Sequence, residues 1–159
     1  MIETTYDLLL AHPFLAGMSP RHVDRLAMWG HPTIVHGGSR VFDESGRADR
    51  FWLIIEGHVR LDTHLPGRGD VAVETIGPGT VLGWSWFFTP YRWHFAATAT
   101  ELVHAVVLDG PGVRRLCDED PALGLDLTRR FMRVVVERLQ QTRLRMLDAY
   151  ANQGEARAE

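Results

Sequence analysis

The 159-residue chain is expected to be mainly β with flanking helices: a jelly-roll β-barrel, or double-stranded β-helix, with N-terminal helices and a long C-terminal dimerisation helix. Three observations predict this. Short β-type runs cut by glycine and proline fill the stretch from His31 to Asp109, helical patterning precedes them, and a long apolar periodicity with steps of three and four follows them.

The length suits one well-buried domain and leaves too little chain for a second of ordinary size. With 45% hydrophobic and 23% charged residues the composition is that of an ordinary globular protein. Apolar runs such as Phe51 to Ile55 and Ala105 to Leu108 fall far short of the roughly 20 residues that cross a bilayer. The start, Met1-Ile2-Glu3-Thr4-Thr5, lacks the pattern of a signal peptide. A single cysteine, Cys117, excludes an internal disulfide and a cysteine pair for zinc. Its surroundings read as helix core, and a reducing cytoplasm is the expected home, with no membrane partner. The net charge of −3 supplies no global attraction to nucleic acid.

Element by element, Tyr6 to Leu10 reads as a short helix broken before Pro13. Ser19-Pro20 reads as an N-cap followed by proline at the first helical position, with Val23, Leu26, Ala27 and Met28 giving one apolar face. Strands are expected at 33–36, 40–42, 51–56, 58–63, 71–76, 80–82, 95–100 and 103–108, spaced as in a jelly roll or barrel. Glu56-Gly57 is expected to form a tight hairpin, Pro66 to Asp70 a longer hairpin loop, and Gly77-Pro78-Gly79 another turn.

After Asp109-Gly110-Pro111 a short helix carries Val113, Leu116 and Cys117 and breaks at Asp120-Pro121. A long helix is expected over 123–150. On it Met132, Val135, Leu139, Thr142, Met146 and Ala149 follow the spacing of a coiled-coil seam, which predicts a parallel homodimer. Phe131, Val134, Leu144 and Leu147 form a second apolar set, more than one docking face needs. The expected division is therefore a β-roll with N-terminal helices over 1–122, the dimerisation helix over 123–150 and a flexible tail over 151–159.

In order and spacing, His12-Pro13-Phe14-Leu15-Ala16-Gly17-Met18-Ser19, Val41 to Asp49, Phe51 to Arg60 and Ile76-Gly77-Pro78-Gly79-Thr80-Val81-Leu82-Gly83 resemble the cyclic-nucleotide-binding effector domains of the catabolite activator and FNR regulators, kinases and channels. The resemblance covers nearly the whole chain and implies a regulatory, ligand-sensing function with cyclic AMP, cyclic GMP or another nucleotide as the candidate ligand. In the family a phosphate-binding cassette follows this glycine: a short helix whose N–H groups meet the phosphate, a glutamate for the ribose hydroxyl and an arginine for the charge. Here Trp84 stands in place of the glutamate and His94 near the arginine position.

The resemblance makes Gly83, Trp84, Ser85, Arg92, His94 and Phe95 the candidate ligand residues, with Arg92 or a protonated His94 as the replacement cation. The segment Arg138 to Thr142 resembles the family's purine-reaching helix, which adds Arg138 and Thr142. A ligand beside Gly83 to His94 is expected to reset the paired helices and so change the affinity for a separate effector protein. The rings of this segment equally suit a filled pocket in a ligand-free dimeric scaffold.

A metal-dependent cupin enzyme is the rival of another class, but it needs two histidines one residue apart with a nearby glutamate. His58 and His64, or His31 and His36, do not supply that pattern. Ser85 in Gly-Trp-Ser-Trp lacks the second glycine of a nucleophile elbow. No catalytic or metal-ligating residue is expected, the chain reads as a non-enzyme, and with no helix-turn-helix after the long helix, direct DNA binding is not expected.

Overall fold

The computed structural model describes residues 2–158. The chain divides into two compact units, Met1–Gly124 and Leu125–Glu159.

In the first unit, α1 (Thr5–Leu10) is opened by a capping box in which the Thr4 hydroxyl accepts from the Asp7 N–H and the Asp7 carboxylate accepts from the Thr4 N–H. A 3-10 turn, Pro13–Leu15, follows, then α2 (Pro20–Ala27). Ser19 occupies the expected N-cap position of α2, but its hydroxyl makes no capping bond; Pro20 alone presets the first turn. Val23 and Leu26 are buried as patterned, but Met28 is 81% exposed because the helix ends at Ala27 and leaves it at the C-cap, outside the buried face.

The strands are β1 (Gly30–Val35), β2 (Arg40–Phe42), β3 (Arg50–Glu56), β4 (Val59–Leu65), β5 (Gly69–Ile76), β6 (Val81–Leu82), β7 (Ala96–Ala99) and β8 (Val103–Asp109). They form two four-stranded antiparallel sheets, ordered β1-β8-β3-β6 and β2-β7-β4-β5. The expected loop at Pro66 to Asp70 is a true hairpin, with Leu65 opposite Gly69.

The Glu56-Gly57 hairpin is corrected. β3 pairs with β6 and β8 whereas β4 pairs with β5 and β7, so Gly57 carries the chain from one sheet to the other. A glycine at φ +88 marks a reversal whichever strand follows it, and a Cβ there would lie 2.3 Å from the Leu102 carbonyl oxygen. Gly77 to Gly79 is likewise a passage between sheets.

β8 leads into α3 (Gly110–Glu119), whose first turn is capped by the Asp109 carboxylate accepting from the Gly112 N–H at 2.8 Å. The core is aliphatic and aromatic together: Leu9, Phe51, Leu53, Ile54, Leu82, Trp86, Ala105 and Leu108 are all but inaccessible.

α4 (Pro121–Ala158) begins in the first unit and supplies the second. It starts two residues before the expected boundary and continues helical through the segment expected to be a flexible tail. Glu155, Ala156 and Arg157 are good helix formers, so backbone propensity extends the helix where apolar periodicity has stopped. Along the second unit the predicted seam is largely open: Met132, Leu139 and Met146 are 52%, 68% and 57% exposed. No helix among the described residues is long and apolar enough to cross a membrane.

Candidate functional site

Gly83 follows β6 with φ +94, a left-handed conformation that favours glycine. A Cβ on it would lie 2.9 Å from the Trp93 ring, so the indole rests directly on the Gly83 Cα. Beyond Gly83 the expected cassette helix is reduced to one 3-10 turn, Ser85–Phe87, with Trp84 at its N-cap and no side-chain capping bond.

Trp93 is the centre of this region. It is buried, stacks on Phe42 of β2 at 3.9 Å between centroids and 13° between planes, and tilts against Trp52 of β3 at 6.1 Å. Phe42 and Trp52 themselves stack at 5.7 Å. The backbone holds the indole in place: the Trp93 N–H donates to the Gly46 carbonyl at 2.9 Å, and the Ser45 N–H donates to the Trp93 carbonyl at 2.8 Å. One ring from each sheet and one from the cassette thus form a single aromatic core.

A second aromatic layer anchors the cassette from below. Trp86 is fully buried and stacks on Phe51 at 4.4 Å and on Phe87 at 4.5 Å. Arg114 of α3 donates to the Trp86 carbonyl and lays its guanidinium 4.1 Å from the Tyr91 ring centroid.

The predicted residues are only partly brought together. Trp84, half-buried, lies 5.0 Å from the His94 ring at 53°. Ser85 is buried with its Oγ 3.4 Å from His94 Nδ1. That nitrogen also lies 3.1 Å from the Arg92 carbonyl, to which it donates when it carries the ring proton. His94 as a whole is exposed. Arg92 is exposed and forms an isolated antiparallel bridge with Arg47, while Phe95 is half-buried just before β7. Arg138 and Thr142 belong to the second unit, where the Thr142 hydroxyl donates to the Arg138 carbonyl at 2.9 Å. Trp93, Phe42 and Trp52 lie within the motifs read from the sequence without standing out there; their shared position becomes visible once two sheets and a loop meet.

Two four-stranded sheets joined by passages at Gly57 and Gly77 to Gly79, with a loop of cassette length after Gly83, define a β-roll effector fold. The chain belongs to the cyclic nucleotide-binding domain family, whose model matches residues 33–120. It is 25% identical over 142 residues to the CRP-like cAMP-activated global transcriptional regulator of Mycobacterium tuberculosis, covering 89% of this chain but only 62% of that relative's length. Among solved structures it is similar to a putative cyclic nucleotide-binding protein from Geobacter metallireducens GS-15, with TM-score 0.76 and 27% identity over 87% of this chain and 99% of that one. A cyclic nucleotide-binding domain from Methylobacillus flagellatus KT shares the fold, with TM-score 0.79 and 19% identity over 89% of this chain and 82% of that one.

Proposed function

We propose that this chain is a non-enzymatic regulatory domain, acting as a homodimer, whose cassette does not hold a cyclic nucleotide in the family's manner. One observation carries the reading: the Trp93 indole rests on Gly83, the glycine that opens the cassette, and stacks into Phe42. The family's ligand needs polar N–H groups, a carboxylate and a guanidinium at that place. Here the carboxylate position is Trp84, the arginine position is His94, and the space against the glycine is aromatic. Desolvating a phosphate there without paired donors would be strongly unfavourable.

The homodimer reading is supported by the exposed apolar side chains of α4, Met132, Leu139 and Met146 at seam spacing with Leu144 and Leu147 beside them. Conversion of a signal at the β-roll into altered affinity for a separate effector protein is part of the same reading, as is a cytoplasmic location.

Calorimetry and thermal shift against cyclic AMP, cyclic GMP, cyclic dinucleotides and adenine nucleotides test the reading. Silence with all of them at micromolar concentrations is the expected result. A saturable rise in Tm with micromolar heat would overturn it and favour a second reading, in which the half-buried Trp84 face, Ser85 and His94 Nε2 contact the ligand. That second reading further requires Trp84→Ala and His94→Gln to weaken the binding.

A further inference from the structure

The edge strands of the two sheets, β1 and β2, flank a cavity of about 270 Å³ that contains none of the cassette residues. Its wall on one side is a single face of the first sheet. His31, Val107 and Trp52 stand side by side across β1, β8 and β3, and alternation places Thr33 on β1 and Arg50 on β3 on the same face. Since Trp52 reaches Phe42 of the opposite sheet, this is the inner face of the roll. Farther along, the same rows hold Ile54, Ala105 and Val103, the usual content of such a face. At this end the content changes to His31, Thr33 and Arg50, and β2 adds Arg40.

These polar groups are incompletely used. Asp49 meets Arg50 at Nε, 3.4 Å away, and Asp43 meets Arg40 at Nε, 3.7 Å away; neither carboxylate lines the cavity. The terminal nitrogens of both guanidinium forks, and the side chains of His31 and Thr33, make no hydrogen bond among the described residues. The Arg50 guanidinium lies 5.3 Å from the Trp52 ring centroid; Trp52 and Val107 form the floor with only 4% and 7% of their surface exposed, while the Arg40 and Arg50 side chains stand at the rim, 43% and 53% exposed.

We propose that this cleft binds a small organic oxyanion, its carboxylate or phosphate head held by Arg40 and Arg50 and its compact apolar body resting on Trp52 and Val107. The forked guanidinium matches a planar or tetrahedral oxyanion, and the volume falls just below the range for drug-sized ligands, roughly 300 Å³ upward, which limits the occupant to a small molecule. An occupant borders Trp52, whose indole packs on Trp93, which in turn covers Gly83. The cleft therefore connects through ring contacts to the back of the cassette. This last link rests on the filled-core reading of the domain.

The test is titration of the full chain with phenyl phosphate, benzoate and inorganic phosphate, followed by the indole N–H resonances in two-dimensional NMR. Phenyl phosphate or benzoate is expected to shift the Trp52 signal saturably, with the Trp93 signal moving in step, and inorganic phosphate to bind more weakly for want of a body. Arg40→Gln and Arg50→Gln are each expected to weaken binding by about tenfold or more, while Arg68→Gln in the distant hairpin leaves it unchanged.

The proposal is overturned if none of the three probes gives a saturable shift up to about 10 mM, or if both arginine variants bind as wild type. Variants that self-associate yet keep full affinity would assign the rim charges to edge protection instead and would equally overturn it. Cyclic AMP added to the same samples separates the two claims. Nucleotide binding that survives Arg40→Gln and Arg50→Gln defeats the filled-core reading and leaves the cleft to stand or fall on the other probes.

Discussion

The Trp93 indole and the Phe42 phenyl ring lie 3.9 Å apart at 13° from parallel, joining the cassette to the edge strand of the second sheet. A contact of this closeness between residues 51 positions apart gives the loop after Gly83 a core of its own.

That core has a measurable weight. Trp93→Ala removes a buried indole and is expected to destabilise the domain by about 3–5 kcal/mol, read as a lower urea midpoint at unchanged slope. Trp84→Ala, at a half-buried position, should cost clearly less. Equal costs would show that Trp84 is as much a core residue as Trp93. Gly83→Ala places a Cβ against the same indole at positive φ, so its cost should shrink in a Trp93→Ala background, a coupling that a double-mutant cycle measures.

Acid should weaken the fold through His12. Its Nδ1 accepts from the Phe14 N–H at 3.2 Å, and its Nε2–H donates to the Ile54 carbonyl at 2.7 Å, which defines one neutral tautomer. Burial holds the imidazole pKa below its ordinary value, with the Ile54 bond opposing the shift. The folded state therefore binds the proton less readily than the unfolded chain. The stability contribution is complete above the unfolded value of roughly 6.5, falls as pH drops toward the lower folded pKa, and levels off beneath it. Urea midpoints at descending pH should fall more steeply in the wild type than in His12→Gln; parallel profiles would remove His12 from the account.

Cys117 should be a poor nucleophile. Burial, together with the charges of Asp118 and Asp120, pushes its thiol up to about 11, leaving roughly one thiol in three thousand ionised at pH 7.5. Native protein should resist iodoacetamide at that pH and react at the rate of a free thiol once unfolded in urea. Fast labelling of the native state would contradict the helix-core assignment.

If α4 pairs as proposed, Leu139→Glu combined with Met146→Glu, which puts two charges on its exposed stripe, is expected to convert the proposed dimer to monomer in sedimentation experiments. A folded β-roll with the wild-type fluorescence should survive. An unchanged dimer would relocate the interface away from this stripe.

Much of this fold could be read from residue order. Short β-type runs cut by glycine and proline placed all the strands to within a few residues, because those turn-forming residues interrupt a strand locally. The break at Asp120-Pro121 is likewise local chemistry and was legible, whereas the capping bonds belong to Thr4 and Asp109 and not to Ser19, the residue that the sequence pointed to. Partner strands were not legible in the same way. Gly57 marked a reversal, yet whether the chain returned along the same sheet or crossed to the other depended on which strand offered the better long-range pairing.

The cassette divides along the same line. The replacement of the family's charged pair by Trp84 and His94 is a fact of sequence and was apparent at once. That Trp93, a neighbour with no special spacing, would occupy the Gly83 surface depended on β2 bringing Phe42 against it. The cleft beside Trp52 depended on two edge strands coming face to face. Backbone propensity and alternation act over a few residues and are written in the order of the chain, whereas the contents of a cavity are set by residues that only folding makes neighbours.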